Sequence, residues 1–337
     1  MNIYDIAKLS GVSIATVSRV LNGSDRVSEQ TKMKVESVMN ENGYQPNAFA
    51  RGLGFNSMKF IGILCDDLSD SFNAKAISLI ENALRQKGFS SILCGTDNKI
   101  SEKQKALSSL LEKRADAVIL IGSSYKDKDN ACLNSITNYA PVIIINGLME
   151  KENVYCVYCD DYSAVENLVL SLSEQNCDRI VYLHTVPQTF SDRQKYLGYK
   201  AGCDRAGIRV RDELLLTSDK SSVIACAAMD RLCNRNCRIS AVIASDDLLA
   251  AGAIKSLRKH GLTNVPVIGY NNSILAECTT PTLSSVDNML STMCGTAVNL
   301  LTDVTNGQQV PNKIVLNSRL MERESFQMIK NKTPAVV

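Results

Sequence analysis

Side chains that could support catalysis are few in this sequence of 337 residues. His184 and His260 are its only histidines, and neither stands at motif spacing from a nucleophile and an orienting carboxylate. No glycine-rich phosphate-binding motif follows a strand-like segment. The sequence therefore argues against an enzyme and predicts no cofactor, although His184 ends a strand-like segment and could contact a ligand.

Twelve cysteines and three pairs of adjacent aspartates raise the question of a metal site. Cys156 and Cys159 form a CxxC motif, but no second ligand pair lies nearby at zinc spacing. The aspartate pairs are Asp66-Asp67, Asp160-Asp161 and Asp246-Asp247. Adjacent residues do not share a helix face, so helix-start and loop roles are expected for them. The sequence predicts no metal site, and the thiols are expected to pack as small hydrophobic groups.

Residues 13–19 carry a different chemistry, which suits double-stranded DNA. Arg19 can donate two hydrogen bonds to a guanine, and Ile14 and Ala15 can contact thymine methyl groups. The hydroxyl groups suited to phosphate oxygens are those of Ser13, Thr16 and Ser18. Residues 1–60 hold seven Lys and Arg against five Asp and Glu, so the net charge of +2 for the whole chain is already present there.

Three short helices are predicted to position these side chains. Asn2 can cap the first helix while Asp5 reaches back to it, and Ile6 and Leu9 form its apolar side. Gly11 then permits a tight turn.

The second predicted helix runs over 14–21 after a cap at Ser13, and the third starts at Ser28 and ends near Asn42. Two helices joined by a short turn and braced by a third are typical of a helix-turn-helix, whose second helix enters the major groove. A small helical bundle with a solvated face is the alternative.

The sequence resembles the lactose/galactose repressor (LacI/GalR) family of bacterial regulators. The residues that carry the resemblance are IYDIAKLSGVSIATVSRVLNG at 3–23 and VSEQTKMKVESVMNENGYQPNAFARGL at 27–53. The resemblance implies that Ile14, Ala15 and Arg19 read the major groove. Further candidate DNA-binding residues are Tyr4, Asn22, Asn47 and Ala50.

Residues 47–58 are predicted to be a hinge helix and linker. Gly52 and Gly54 each cost about 1 kcal/mol relative to alanine in a helix, and so short a helix is marginal alone. We therefore expect the segment to fold only when a partner holds it. The resemblance implies that it pairs with its dimer mate in the minor groove, with Leu53 as an apolar wedge. A plain flexible linker is the alternative.

From residue 59 onward, apolar strand-like segments alternate with amphipathic ones. The predicted strands are 60–65, 91–95, 117–122, 141–146, 179–184, 241–245 and 265–270, and the predicted helices are 72–87, 101–113, 191–206 and 247–260. Apolar strands between helices indicate doubly wound parallel sheets. Two such series predict two lobes, with 283–287 and 313–321 as returning crossovers.

The predicted fold class is thus an all-α helix-turn-helix DNA-binding domain plus an α/β two-lobed core with doubly wound parallel sheets. The resemblance implies that this core is similar to periplasmic sugar-binding proteins. The predicted domains are a helix-turn-helix at 1–46, a hinge at 47–58, and a ligand-sensing and dimerisation core at 59–337. Its N-lobe is placed at about 59–159 and 289–318, and its C-lobe at about 160–287 and 319–332.

A ligand of such sheets lies beyond the carboxyl ends of the strands. The candidate effector-binding residues there are Phe72, Asn73, Ser123, Asn146, Lys195, Ser245, Asp246 and Asn271. Three of them depart from the family pattern. Lys195 stands where the family has arginine, Ser245 where it has asparagine, and Asn271 where it has aspartate.

Lys195 and Asn271 together predict the effector class. A lysine near a helix N-terminus, without the usual carboxylate, favours an anion such as a sugar phosphate or sugar acid. The alternative is that Lys195 pairs with Asp192 and that the pocket has drifted or emptied.

The sequence therefore predicts a cytoplasmic, homodimeric transcriptional repressor that binds a near-palindromic operator and responds to a small carbohydrate-like effector. A solute-binding protein without a DNA function is the rival reading. It would need an export signal, and the N-terminal MNIYDIAKLSGVS does not resemble one. No apolar stretch approaches the roughly 20 residues of a membrane span, so no membrane partner is expected.

Overall fold

A computed structural model describes residues 1–21, 24–44, 57–97, 99–122, 130–186, 189–235 and 237–327. The contacts divide the chain into an N-terminal unit, residues 1–60 with 114–116, and a core that holds the other residues. Within the described residues, no helix is long and apolar enough to cross a membrane.

The N-terminal unit contains three helices whose starts are fixed by side-chain caps. They are α1 (Ile3–Ser10), α2 (Ile14–Leu21) and α3 (Glu29–Glu41). Asn2 accepts hydrogen bonds from the amides of Tyr4 and Asp5, and the Asp5 carboxylate accepts one from the Asn2 amide at 2.8 Å. This capping box confirms the predicted start of α1.

A small apolar core holds the three helices together, and one residue expected in it lies outside. Ile6, Val17 and Val35 are fully buried. Leu9 was predicted on the apolar side of α1, which is wrong, because its side chain is 54% exposed. At 100° per residue, the buried arc of α1 runs through Ile6, Ser10 and Ala7, and Leu9 falls roughly 110° from the middle of that arc.

The first lobe of the core is a six-stranded sheet between helices. Its strands are β1 (Phe60–Cys65), β2 (Ser90–Gly95), β3 (Ala117–Ile121), β4 (Val142–Ile145), β5 (Val154–Cys159) and β11 (Lys313–Leu316), in the order β11-β5-β4-β3-β1-β2. Its helices are α4 (Ser71–Gln86), α5 (Ile100–Glu112), α6 (Asn130–Thr137) and α12 (Leu290–Thr305). Side chains of α4 and α12 pack on one face, and Leu110 of α5 packs against Gly62 on the other. The pairs β1–β3, β3–β4, β4–β5 and β5–β11 are parallel.

The second lobe repeats this plan. Its strands are β6 (Ile180–His184), β7 (Leu215–Thr217), β8 (Ala241–Ala244), β9 (Val267–Tyr270), β10 (Ser284–Asp287) and β12 (Arg319–Met321), in the order β12-β10-β9-β8-β6-β7. Its helices are α7 (Asp161–Glu174), α8 (Phe190–Arg205), α9 (Ser222–Cys233), α10 (Asp247–Lys259) and α11 (Leu275–Cys278). Helices α7 and α8 cover one face and α9 and α10 the other. Only β12 among the described pairs of this sheet runs antiparallel.

The predicted fold class is confirmed, and the differences concern the number of elements. The predicted series lacks β5, β7, α6, α7, α9, α11 and α12. Segment 283–287, interpreted as a crossover, contains β10, which pairs with β9. Ser284 and Ser285 of β10 are fully buried polar residues, so the strand lacks the apolar signature of its neighbours.

Candidate functional sites

The outer face of α2 presents the side chains expected to contact DNA. Ile14, Ala15 and Arg19 are exposed, whereas Val17 and Val20 turn into the core of the N-terminal unit. This division follows from the period of the helix, because the two valines are three residues apart on one side. The exposed side of α2 therefore presents apolar side chains at its start and a basic side chain in its last turn.

The hydroxyl residues at the start of α2 have a local structural role as well. Ser13 Oγ accepts a hydrogen bond from the Thr16 amide at 3.1 Å, and the two hydroxyl groups lie 2.9 Å apart. Ser13 is thus the N-cap that the sequence predicted. Tyr4 on α1 is also exposed, and Ser18 is half-buried.

Five of the predicted site residues lie outside the described residues. They are Asn22, Asn47, Ala50, Leu53 and Ser123. The hinge contacts and the Ser123 contact stay predictions from the sequence.

A cavity of about 220 Å³ lies between the two lobes of the core. The predicted effector-binding residues that line it are Phe72, Asn73, Asn146, Lys195, Ser245, Asp246 and Asn271. Most of them follow parallel strands directly, so the carboxyl edges of both sheets face the cavity. Further lining residues, which were not among the candidate effector-binding residues, are Asp66, Asp70, Ile121, Gly122, Thr185, Thr189, Ser191, Asp192 and Lys220.

Two asparagines shape the wall of the cavity through their backbone. Asn146 and Asn271 have positive φ angles of 61° and 96°. Asparagine is one of the few residues besides glycine that visits this region readily. The Asn271 side chain also donates to Asp246 Oδ2 at 3.0 Å and accepts from Asn288 at 2.9 Å. Asn271 therefore orients Asp246 toward the ligand space.

Lys195 is 5% exposed and has partners inside the second lobe. Its Nζ donates to the Ser245 carbonyl at 3.2 Å and lies 3.9 Å from the centre of the Tyr270 ring. Asp192, the alternative partner considered above, accepts a hydrogen bond from the Thr189 hydroxyl at 2.7 Å. The lysine is thus held at the base of the cavity rather than in solvent.

A buried carboxylate stands behind Lys195. Asp161 accepts hydrogen bonds from Ser191 at 2.5 Å and from the Tyr270 hydroxyl at 2.6 Å. Burial raises the pKa of Asp161, while the charge of Lys195 and the two hydrogen bonds act to lower it. The positive charge of Lys195 consequently has a carboxyl group of the same lobe close by.

Asp66 projects from the end of β1 and is held by a buried lysine of the first lobe. Lys103 Nζ lies 3.4 Å from Asp66 Oδ1, and the side chain of Lys103 is 1% exposed. The Thr96 hydroxyl donates to the same oxygen at 3.2 Å. Both contacts are made to Asp66 Oδ1, and Asp66 lines the cavity.

Lys220 lies between two carboxylates that belong to different lobes. It forms a salt bridge with Asp70 of the first lobe, and its Nζ lies 3.4 Å from Asp246 Oδ2 of the second. Burial lowers the pKa of Lys220, but Asp246 and Asp70 raise it by more, so the pKa is well above the usual lysine value. The ammonium group therefore stays charged at any physiological pH.

The charge of the cavity lining differs from the sequence expectation. Four aspartates and two lysines line it, which gives four minus two, or a net charge of −2. The expectation of an anionic effector rested on Lys195 and Asn271 alone. The lining also holds the side-chain amides of Asn73, Asn146 and Asn271.

His184 and the two cysteines of the CxxC motif are buried side chains. His184 is buried beside Tyr182, and burial lowers its pKa. Cys156 and Cys159 lie three residues apart on β5, so their side chains point to opposite faces of the sheet. Within the described ranges, no group of three or more His, Cys, Asp and Glu side chains is arranged to hold a metal ion.

One cluster combines the residue types of a hydrolase triad without its connections. Asp230 accepts hydrogen bonds from Ser256 at 2.6 Å and from Lys259 at 2.7 Å, and its Oδ1 lies 3.2 Å from His260 Nε2. A nucleophilic serine must donate to the histidine, whereas Ser256 donates to the carboxylate. The cluster therefore ties α9 to the end of α10.

Comparison with known proteins decides the family. Residues 2–47 match the bacterial regulatory proteins of the lacI family, and residues 58–310 match the periplasmic binding proteins and sugar binding domain of the LacI family. The chain belongs to the LacI family. It is accordingly a transcriptional regulator with a helix-turn-helix and a sugar-binding type of core, in a family of regulators rather than enzymes.

Relatives within the LacI family match along nearly the whole chain. An HTH-type transcriptional regulator of Lachnoclostridium phytofermentans is 41% identical over 331 residues, covering 96% of this chain and 99% of that protein. Catabolite control protein A of Priestia megaterium is 28% identical and covers 96% of this chain and 99% of its own. A crystal structure of the Lac repressor dimer bound to operator and an anti-inducer matches with a TM-score of 0.87 at 22% identity, covering 96% and 98%. The similarity to that structure shows the fold.

Proposed function

We propose that this LacI-family protein is a repressor that binds a near-palindromic operator as a homodimer and responds to a small hydroxylated effector between its lobes. The observation that carries the proposal is that seven side chains predicted to bind an effector line one cavity between the lobes. Residues 1–46 would form the DNA-binding domain, 47–58 the hinge, and 59–337 the sensing and dimerisation core. Binding of the effector would change the affinity for the operator in the cytoplasm.

The outer face of α2 is the proposed reading surface. Arg19 would donate to guanine O6 and N7, and Ile14 and Ala15 would contact thymine methyl groups. The proposed phosphate and flanking contacts are Tyr4, Ser13, Thr16, Ser18 and Asn22. Exposure of Ile14, Ala15 and Arg19 on one side of the helix supports this role.

A neutral sugar or polyol is the effector class that the cavity favours. A hydroxyl group both donates and accepts, so it can pair with carboxylates, amides and serine hydroxyls alike. The net charge of −2 in the lining opposes a second negative charge, which weakens the case for a sugar phosphate or sugar acid. The cavity of about 220 Å³ lies below the range of about 300–1,000 Å³ common for small-molecule sites, which favours a compact ligand.

Calorimetry with matched sugars tests the effector class. The panel pairs D-glucose and cellobiose with glucose 6-phosphate and gluconate, and cellobiose is included because the similar regulator CelR was solved as its cellobiose complex. We expect binding of a neutral member and a loss of at least tenfold in Asp246→Asn, since a ligand hydroxyl loses its charged acceptor. Tighter binding of a phosphorylated or carboxylated member would reinstate the anionic class.

Selection of bound sequences from random DNA tests the DNA-binding part. The full chain should enrich a near-palindrome, and a neutral sugar from the panel should change the amount of DNA retained. Recovery of unrelated sequences, with or without sugar, would contradict the proposal.

A further inference from the structure

A single ammonium group joins the two lobes at the cavity. Lys220 precedes α9 in the second lobe, and it contacts Asp70 at the start of α4 in the first lobe and Asp246 at the start of α10. All three residues line the cavity. The sequence separation between Lys220 and Asp70 is 150 residues, so this contact depends on how the two lobes are arranged.

The two carboxylates are held in place by their helices. Asp70 Oδ1 caps α4 by accepting from the amides of Phe72 and Asn73 at 3.0 and 3.1 Å. Asp246 Oδ1 caps α10 by accepting from the Leu248 amide at 2.8 Å. In both residues Oδ2 is the oxygen that faces Lys220. The cap hydrogen bonds hold both carboxylates in place independently of Lys220. Less conformational entropy is therefore lost when the salt bridge forms.

The backbone on both sides of Lys220 is also fixed. The Ser218 amide donates to the His184 carbonyl at the end of β6 at 2.9 Å. Ser221 is the N-cap of α9 and accepts from the Ile224 amide. A lysine presented from so short and anchored a segment can reach the first lobe only when the lobes are close.

The two carboxylates of this ion pair are largely shielded from water, while the lysine is partly exposed. The side chains of Asp70 and Asp246 are 14% and 12% exposed, and that of Lys220 is 42% exposed. Removing Lys220 would leave two poorly hydrated carboxylates facing each other across the cleft, which is a costly arrangement. Opening the lobes would relieve it, because Asp70 would move away from Asp246 into water.

We propose that Lys220 is a cross-lobe clamp that holds the effector cleft closed through Asp70 and Asp246 and so sets the fraction of molecules in the binding-competent form. Every partner in the clamp belongs to the chain itself, so it acts before a ligand arrives. The apparent dissociation constant of a ligand equals its intrinsic dissociation constant divided by the fraction of competent molecules, so losing the clamp weakens binding. This consequence for affinity rests on the proposed function of the cleft, but the closure itself does not.

Energy transfer between two fluorophores on the full chain, without ligand, tests the closure. Non-canonical residues at positions Lys87 and Arg235 would carry the dyes, since both are exposed and lie just beyond the far ends of α4 and α9. We expect lower transfer in Lys220→Met and in Asp70→Asn, and no further fall in the double variant. Lys255→Met, at an exposed lysine of α10, is the matched control and should keep the wild-type value.

Salt and sugar titrations complete the test. Raising the salt from about 0.1 to 1 M shortens the Debye length from about 10 to 3 Å, so transfer should fall in the wild type and change little in Lys220→Met. Any sugar of the panel that binds the wild type should bind Lys220→Met roughly fivefold more weakly or worse. Unchanged transfer in both single variants, or tighter sugar binding by Lys220→Met, would overturn the clamp. A third outcome separates the two proposals. If no sugar of the panel binds the wild type but energy transfer still falls in the single variants and at high salt, the clamp is supported and the proposed effector class is wrong.

Discussion

Arg19 is the long cationic side chain on the outer face of α2. We expect Arg19→Ala to weaken binding to the specific operator by about 1–3 kcal/mol per half-site, because a bidentate contact to guanine is lost. Binding competition with the selected operator and its single-base variants measures this loss and the relaxed preference at one position. Equal losses on specific and random DNA would mean that Arg19 contacts only phosphate.

Asp66 illustrates how a ligand-facing carboxylate depends on a buried partner. Asp66→Asn keeps the shape but removes the charge that Lys103 faces at 3.4 Å in a buried setting. We expect the free energy of unfolding to fall by about 1–3 kcal/mol in urea denaturation, since a buried ammonium loses a charged acceptor. Asp204→Asn, at an exposed carboxylate of α8, is the control and should change stability little. An equal effect at both positions would argue against the buried pair.

The close approach of α7 and α8 gives a prediction at the level of elements. A Cβ on Gly198 would lie 2.3 Å from the Tyr162 carbonyl oxygen of α7, whereas one on Gly295 of α12 would meet nothing within 4 Å. Gly198→Ala should therefore destabilise the protein by about 1–3 kcal/mol, because the helices must separate. Gly295→Ala should stabilise it by about 0.5–1 kcal/mol through the helix preference of alanine. Thermal and urea unfolding of both variants measures the contrast, and a neutral Gly198→Ala would contradict the close packing.

The hinge at 47–58 gives a second element-level prediction, made from the sequence alone. Leu53→Ala should weaken specific operator binding far more than non-specific binding, because an apolar wedge acts only on a deformed minor groove. Hydrogen exchange at 47–55 should be fast in the free protein and slow on the operator. Protection of these amides without DNA would contradict folding on binding.

At the scale of the whole molecule, the proposed dimer constrains the operator. Two-fold symmetry places two copies of α2 about one helical turn of DNA apart or slightly more, so the half-sites should be related by inversion. Inserting about five base pairs at the centre of the operator should abolish most of the specific affinity, while about ten should restore part of it. Sedimentation of the free protein should show a dimer. A monomer that binds a single half-site with full affinity would contradict this arrangement.

Much of the fold was predictable because its signals are local. The capping box at Asn2 and Asp5, the valine spacing of α2 and the apolar strands of both sheets each depend on residues close in sequence. Four of the seven cleft residues were predictable for a related reason, since residues that directly follow parallel strands must gather at one sheet edge. They are Asn146, Ser245, Asp246 and Asn271. β7 was missed because it is only three residues long, and β10 was missed because its buried residues include Ser284 and Ser285.

The partners of the charged side chains were decided by tertiary structure alone. Lys195 could be placed on an inward helix stripe from the sequence, but its contacts with Ser245 and Tyr270 and its proximity to Asp161 join separate elements. Lys220 had no local signal, since its partner Asp70 lies 150 residues away in the other lobe. An ionic interaction depends on distance and burial, and neither is a property of a residue in its sequence neighbourhood. The sequence by itself therefore determined the family, the helix-turn-helix and the position of the cleft, while the folded core decided the charge of that cleft and which side chains hold it together.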